Sequence, residues 1–190
     1  MREITRTTKE TNIKASLELY GSGVAKIETG IGFFDHMLES LAKHALWDLE
    51  ISCEGDLQVD AHHSVEDCGI VLGLLLRESL YPAQGIERFG NASVVMDESC
   101  VECDLDVSNR PFLVFDMTIE GAVGEFDAEL AEEFFRALAF NAGLSLHIVQ
   151  KRGKNRHHLI EAAFKALAVA MRRACTQNPR IGTPSTKGLL

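Results

Sequence analysis

His62-His63-Ser64-Val65-Glu66-Asp67 recurs 95 residues further on as His157-His158-Leu159-Ile160-Glu161-Ala162. On a helix, positions i and i+4 share a face. His62 therefore lies over Glu66 and His157 over Glu161, while His63 and His158 point roughly 100° away. Each unit offers an imidazole and a carboxylate in one direction and a second imidazole in another. A single unit reads as polar residues at the start of a surface helix. Its duplication at the same internal spacing points instead to a pair of transition-metal ions, which accept mixed imidazole and carboxylate ligands.

Outward from these units the chain passes twice through one order of elements. Ile13, Ala15, Leu17 and Leu19 alternate with polar residues, and after Tyr20-Gly21-Ser22-Gly23 the alternation resumes from Val24 to Thr29, predicting a β-hairpin. Apolar residues at helical spacing predict a helix over 33–45, followed by a strand over 46–53 and a helix over 62–80. In the second half, 93–107 reads as a strand and 111–119 as a further extended stretch. Helices over 127–140 and 156–175 flank a strand over 144–149. Laid over one another at an offset of 97, the halves bring His36 onto Glu133.

These repeats predict an internally duplicated α+β fold. Each half is a mostly antiparallel sheet with two helices on one face, and the helices of both halves pack together between the sheets. No linker separates the halves, so residues 1–190 read as a single domain, with halves of about 1–88 and 89–176 and a C-terminal tail, 177–190.

At 46% hydrophobic residues the chain can fill a core, and no apolar run approaches the length of a membrane span. The start, Met1-Arg2-Glu3-Ile4-Thr5, lacks the basic and apolar regions of a signal peptide, so a cytoplasmic location with no membrane partner is expected. A formal charge of −9 argues against nucleic acid as a partner but leaves room for a small phosphorylated molecule held by a few local cations. Five cysteines without secretion signals read as reduced thiols.

All seven histidines fall in or beside the repeated elements. Pseudo-twofold symmetry groups His36, His157 and Glu161 with His63 around one metal, and His62, Glu66 and His158 with Glu133 around the other. His147 is the rival for the last place, or else a strand histidine packed in the core. A ligand set without thiolate suits Mn²⁺, Fe²⁺ or Zn²⁺, and open coordination positions favour manganese. Cys100-Val101-Glu102-Cys103 has no second pair, and its thiols fall on opposite strand faces. Candidate phosphate ligands are Arg88, Arg110, Lys165 and the tail residues Ser185, Thr186 and Lys187, the last three set among glycines and small hydroxyls.

Several stretches together closely resemble the imidazoleglycerol-phosphate dehydratase family. They are Thr29-Gly30-Ile31-Gly32-Phe33-Phe34-Asp35-His36-Met37-Leu38, the unit from Asp60 to Asp67, Arg88-Phe89-Gly90, Arg110-Pro111, Leu146-His147-Ile148, the unit from Asn155 to Glu161, and Pro184-Ser185-Thr186-Lys187-Gly188. The resemblance, to the monofunctional form, covers nearly the whole chain. It implies a carbon–oxygen lyase of histidine biosynthesis, converting D-erythro-imidazole glycerol phosphate to imidazole acetol phosphate with two Mn²⁺ ions per active site that hold the imidazole ring. By similarity Glu10 contacts the reacting part of the substrate and is the candidate for proton transfer, with the metal-ligand carboxylates Glu66 and Glu161 as others. Arg88, Arg110, Lys165, Ser185, Thr186, Lys187 and His44 match positions at the substrate, as does His36. The resemblance further implies a homo-oligomer of twenty-four subunits built from trimers, with metal sites completed between neighbours.

Two departures stand out. Glu133 occupies a position where the family often has histidine, and Asn109 one where glycine is common. The competing readings are another dinuclear metal enzyme and a non-catalytic metal-binding scaffold. Di-iron bundles use Glu-x-x-His on long helices rather than His-x-x-x-Glu between strands, and a scaffold has no use for phosphate-binding cations.

Overall fold

Ile13, Ala15 and Leu17 are buried while Lys14, Ser16 and Glu18 between them are not, so β2 (Thr11–Glu18) lays one face on the core. In the computed structural model, which describes residues 1–188, this strand lies in a four-stranded sheet. Its other members are β1 (Arg2–Thr7), β3 (Ala25–Glu28) and β4 (Asp48–Gly55), in the order β1-β2-β4-β3. Helices α1 (Gly32–Ala45) and α2 (His62–Leu80) complete the first half. The second half repeats it: β5 (Phe89–Met96), β6 (Ser99–Asp106), β7 (Phe112–Asp116) and β10 (Ser145–Arg152) form a sheet of order β5-β6-β10-β7, with helices α3 (Glu129–Ala142) and α4 (Arg156–Ala174). A small hairpin, β8 (Ala122–Val123) and β9 (Phe126–Asp127), precedes α3. Of the tail, residues 189–190 lie outside the described residues.

The fold is a duplicated α+β architecture, and the strand register shows how close the copies are. Arg2 pairs with Leu17, and 88 positions later Gly90 pairs with Leu105. Ala25 lies beside Leu49, and Leu113 beside Leu146 in the same parallel sense. The first three strands of each half thus repeat at 88. Helix α1 and strand β4 repeat at 97, because the segment carrying the β8–β9 hairpin adds nine residues to the second copy.

Helix α1 buries Phe34, Met37, Leu38, Leu41, Ala42 and Ala45; the positions 97 residues on, Ala131, Phe134, Phe135, Leu138, Ala139 and Ala142, are the buried face of α3. The helices pack across the halves, α1 on α4 and α2 on α3. Gly69 and Gly73 permit the second contact, since a Cβ on Gly69 would stand 2.9 Å from the Phe134 carbonyl oxygen and one on Gly73 2.8 Å from that of Leu138. Phe34, Phe134, Phe135 and Phe164 join both halves in one aromatic cluster, with ring centroids 4.8–5.5 Å apart in successive pairs. Among the described residues no helix is long and apolar enough to cross a membrane.

Three local readings of the sequence are corrected. The stretches 13–19 and 24–29 do not pair as a hairpin; β4 lies between β2 and β3, and β2's hairpin partner is β1, a polar edge strand with no apolar alternation to betray it. The stretch 93–107 is not one strand but most of the β5–β6 hairpin, reversing at Asp97, a non-glycine residue with φ of 48°. His147 is not packed in the core: it is exposed on the outer face of the second sheet, in a groove of about 560 Å³ with Phe89, Asn91 and Asp104.

Candidate metal centre and phosphate pocket

The duplicated units open α2 and α4. Asn155 caps α4 by accepting from the His158 backbone N–H at 3.2 Å, while at the start of α2 Asp60, one residue before the cap position, accepts from the His62 backbone N–H at 2.8 Å. On α4, Glu161 is buried and its Oε2 lies 3.1 Å from His157 Nε2 and 3.5 Å from Nε2 of His36, which α1 contributes from the other half. His36, His157 and Glu161 each place one ligand atom within 4.8 Å of the others. Glu161 Oε1 receives the Lys165 ammonium at 2.7 Å. Burial acts to raise the Glu161 carboxyl, but the hydrogen bond and charge of Lys165, with His36 and His157 beside it, outweigh that and hold it below the ordinary carboxylate range. An anionic carboxylate and two imidazoles fit a divalent transition ion.

The pseudo-equivalent group is more open. His62 Nε2 stands 3.9 Å from Glu66, whose side chain is 44% exposed, and Glu133 on α3 lies 4.0 Å from Arg136. The second imidazole of each pair faces elsewhere. His63 turns Nδ1 to both oxygens of Asp56 at 3.0 and 3.1 Å, with Glu10 3.8 Å from its Nε2. His158 turns Nδ1 to Glu98 at 2.8 Å, with Asp97 3.7 Å from its Nε2. The hydrogen bond to Asp56 raises the His63 pKa, and that to Glu98 raises the His158 pKa. Among the described residues of one chain, His63 does not join His36, His157 and Glu161.

Five candidate phosphate ligands come together. Arg88, Arg110, Ser185, Thr186 and Lys187 line one open pocket of about 780 Å³. Arg88 donates through two nitrogens to Asp106, at 2.6 and 2.9 Å, and through a third to the Pro184 carbonyl oxygen at 2.6 Å, which ties the tail to the second sheet. Lys165 and His44 do not line this pocket. Lys165 pairs with Glu161, and His44, one helix face along from His36, has its pKa lowered by loss of water and then by the charges of Lys165 and Arg172. Asn109 holds φ of 53°, a left-handed backbone that asparagine tolerates and glycine adopts freely.

The two groups are well separated. The Arg88 backbone N–H binds the carbonyl of Ala174, the last residue of α4, at 2.9 Å. Glu161 is thirteen residues earlier on that helix, roughly 20 Å along its axis. Asp56, Asp97, Glu98 and Asp106 were not singled out from the sequence. For Glu98 a signal existed, since it stands 88 residues after Glu10, the offset at which the strands repeat.

The imidazoleglycerol-phosphate dehydratase family model matches residues 29–171. An imidazoleglycerol-phosphate dehydratase of Helicobacter hepaticus is 67% identical over 193 residues, covering 99% of this chain and 95% of that protein. Its counterpart in Sulfurovum is 64% identical over 190 residues, the full length of both. Among solved structures, the dehydratase from Staphylococcus aureus superposes with a TM-score of 0.82 at 40% identity, covering 93% of this chain and 98% of that one. IGPD from Pyrococcus furiosus in complex with (S)-C348 gives 0.86 at 40% identity, covering 98% and 100%.

Proposed function

The chain belongs to the imidazoleglycerol-phosphate dehydratase family, a hydro-lyase of histidine biosynthesis. From that premise we propose that it removes water from D-erythro-1-(imidazol-4-yl)glycerol 3-phosphate to give 3-(imidazol-4-yl)-2-oxopropyl phosphate, in the cytoplasm, with two Mn²⁺ ions per active site. The observation that carries the metal assignment is the convergence of His36, His157 and Glu161 from two helices of opposite halves. These three with His63 are assigned to one ion, and His62, Glu66, His158 and Glu133 to the other. Bound divalent ions would make the ring N–H more acidic, and the electron density that its loss leaves on the ring would favour departure of hydroxide from the carbon attached to it.

The chain's own groups handle the rest. The proton to be removed sits on the carbon bearing the middle hydroxyl, with no carbonyl beside it to acidify it. Glu10 is assigned as the group that takes it, since its carboxylate stands by the free Nε2 of His63 and is open to solvent. Loss of that proton and of hydroxide leaves an enol, which ketonises to the product. Arg88, Arg110, Ser185, Thr186 and Lys187 hold the phosphate, while His44 and Lys165 flank the metal group. Lys165 also keeps Glu161 anionic for its ion.

The separation of roughly 20 Å along α4 supports an active site shared between subunits. An imidazole three carbons from a phosphate cannot span that distance. The metal group of one chain would therefore work with the phosphate pocket of another, in an assembly of twenty-four subunits built from trimers. The test of the reaction is turnover of imidazole glycerol phosphate by chelator-stripped protein before and after adding Mn²⁺. Activity that returns with the metal is the expected result; two ions bound per chain without turnover would favour a metal-binding scaffold or another dinuclear enzyme.

A further inference from the structure

The two turns that join the first strands of each half carry a carboxylate at the same place, Glu10 in the first and Glu98 in the second, 88 residues apart. They do different things. Glu98 takes the Nδ1 side of His158 at 2.8 Å and is itself fixed, accepting from the Asn155 backbone N–H at 3.0 Å and from Ser99 Oγ at 2.9 Å. Asn155 in turn caps α4 through the His158 N–H, so the carboxylate, the cap and the imidazole form one ring of contacts. Glu10 makes no such contact with Nδ1 of His63. Asp56 does that instead with both oxygens, and its backbone N–H is anchored on the Glu10 carbonyl at 3.1 Å. The position 97 residues after Asp56 is Gly153, which has no side chain to offer.

A carboxylate only accepts, so an imidazole held by one through Nδ1 carries its proton there and presents the lone pair of Nε2 outward. We propose that Glu98 is a positioning residue that holds His158 with Nε2 aimed at the second metal ion, the part Asp56 plays for His63, and that this substitution of Asp56 in the first half leaves Glu10 free to face substrate. The inference rests on the assignment of His158 as a metal ligand.

The test is Mn²⁺ binding by the intact protein, followed through the paramagnetic resonance signal of the free ion, for wild type, Glu98→Ala, Glu98→Gln and His158→Ala. Glu98→Ala is expected to weaken one of the two ions by about 10–100-fold and leave the other unchanged, the range typical of outer-shell partners. Glu98→Gln recovers part of the loss, because its amide oxygen still accepts from Nδ1. Wild-type affinity in Glu98→Ala with a weakened ion in His158→Ala would overturn the positioning role and keep His158 as a ligand. Wild-type affinity in His158→Ala would remove the ligand assignment and the inference with it. Equal weakening of both ions in Glu98→Ala would also overturn the role, since a general loosening of the fold acts on both.

Discussion

The group at the start of α4 and its counterpart at the start of α2 are built from the same elements and differ in how much of the site exists before anything binds. Around Glu161 the carboxylate is buried, contacts both imidazoles and holds Lys165. Around Glu66 the carboxylate is half exposed, 3.9 Å from one imidazole, and the residue matching Lys165 is Ile70. The first group pairs its buried carboxylate with the partly exposed Lys165 ammonium, whereas the second stays open to water at little cost. Duplication kept the spacing of the two histidines and the glutamate and let the surroundings diverge.

The sharpest way to break this comparison is to remove each carboxylate. Glu161→Ala is expected to lower turnover at least about 100-fold, since a direct ligand matters no less than an outer-shell partner. It also leaves Lys165 without its partner, so the metal-free protein should lose about 2 kcal/mol in denaturant unfolding, below the full cost of breaking a buried pair because Lys165 is partly exposed. Glu66→Ala should change metal-free stability by less than about 0.5 kcal/mol. Equal losses would mean that the two groups are equally preformed.

Glu133 tests the open group from its other side. Glu133→Ala is expected to weaken one of two Mn²⁺ ions, measured by calorimetric titration, by about tenfold or more, and Glu133→His to hold it. Two ions bound with wild-type affinity in the alanine variant would remove Glu133 from the ligand set.

A smaller effect separates the groups by pH. His44 has its counterpart in Asn141, and its lowered pKa comes first from loss of water and then from Lys165 and Arg172. A histidine whose folded pKa is depressed contributes stability that is present above its unfolded value of about 6.5 and is lost as pH falls through the folded value. Lys165→Met should move the His44 titration, followed by its ring proton resonances, upward but not to the free value, because the loss of water remains. No movement would show that Lys165 does not act on it.

The smallest expected effect compares two helix ends. Gly143 closes α3 with φ of 72°, and at the same place Leu46 closes α1 with φ of 60°, each donating its backbone N–H to the residue four before. Leucine pays a steric cost there that glycine does not, offset in part by glycine's freer unfolded chain. Leu46→Gly should therefore stabilise the protein by about 0.5–1 kcal/mol in thermal unfolding. A destabilised variant would show that Leu46 packs usefully despite its exposure.

The helical elements of this fold were legible because their apolar faces repeat: the buried positions of α1 reappear in α3 at one offset, and the His-His units mark α2 and α4. Strand partners were not legible. Alternation reports that Ala25–Glu28 is extended but not that β4 will insert beside it, since pairing is set by the crossover through α1. The nine added residues around the β8–β9 hairpin hid the offset of 88, and with it the relation of Glu98 to Glu10. The clustering of Arg88, Arg110 and the tail followed from residue type, while Asp106, which holds Arg88, looked like one acid among many.

The central claim is that metal group and phosphate pocket meet only between chains, and mixed assembly tests it most directly. Glu161→Ala protein and Arg88→Ala protein, each inactive alone, are unfolded together, refolded as a mixture with Mn²⁺ and assayed on imidazole glycerol phosphate. Sites that draw Glu161 from one chain and Arg88 from another regain turnover, the result expected here. A mixture as inactive as its parents, with mixed assemblies verified by mass, would place both groups of each site on one chain and contradict the account.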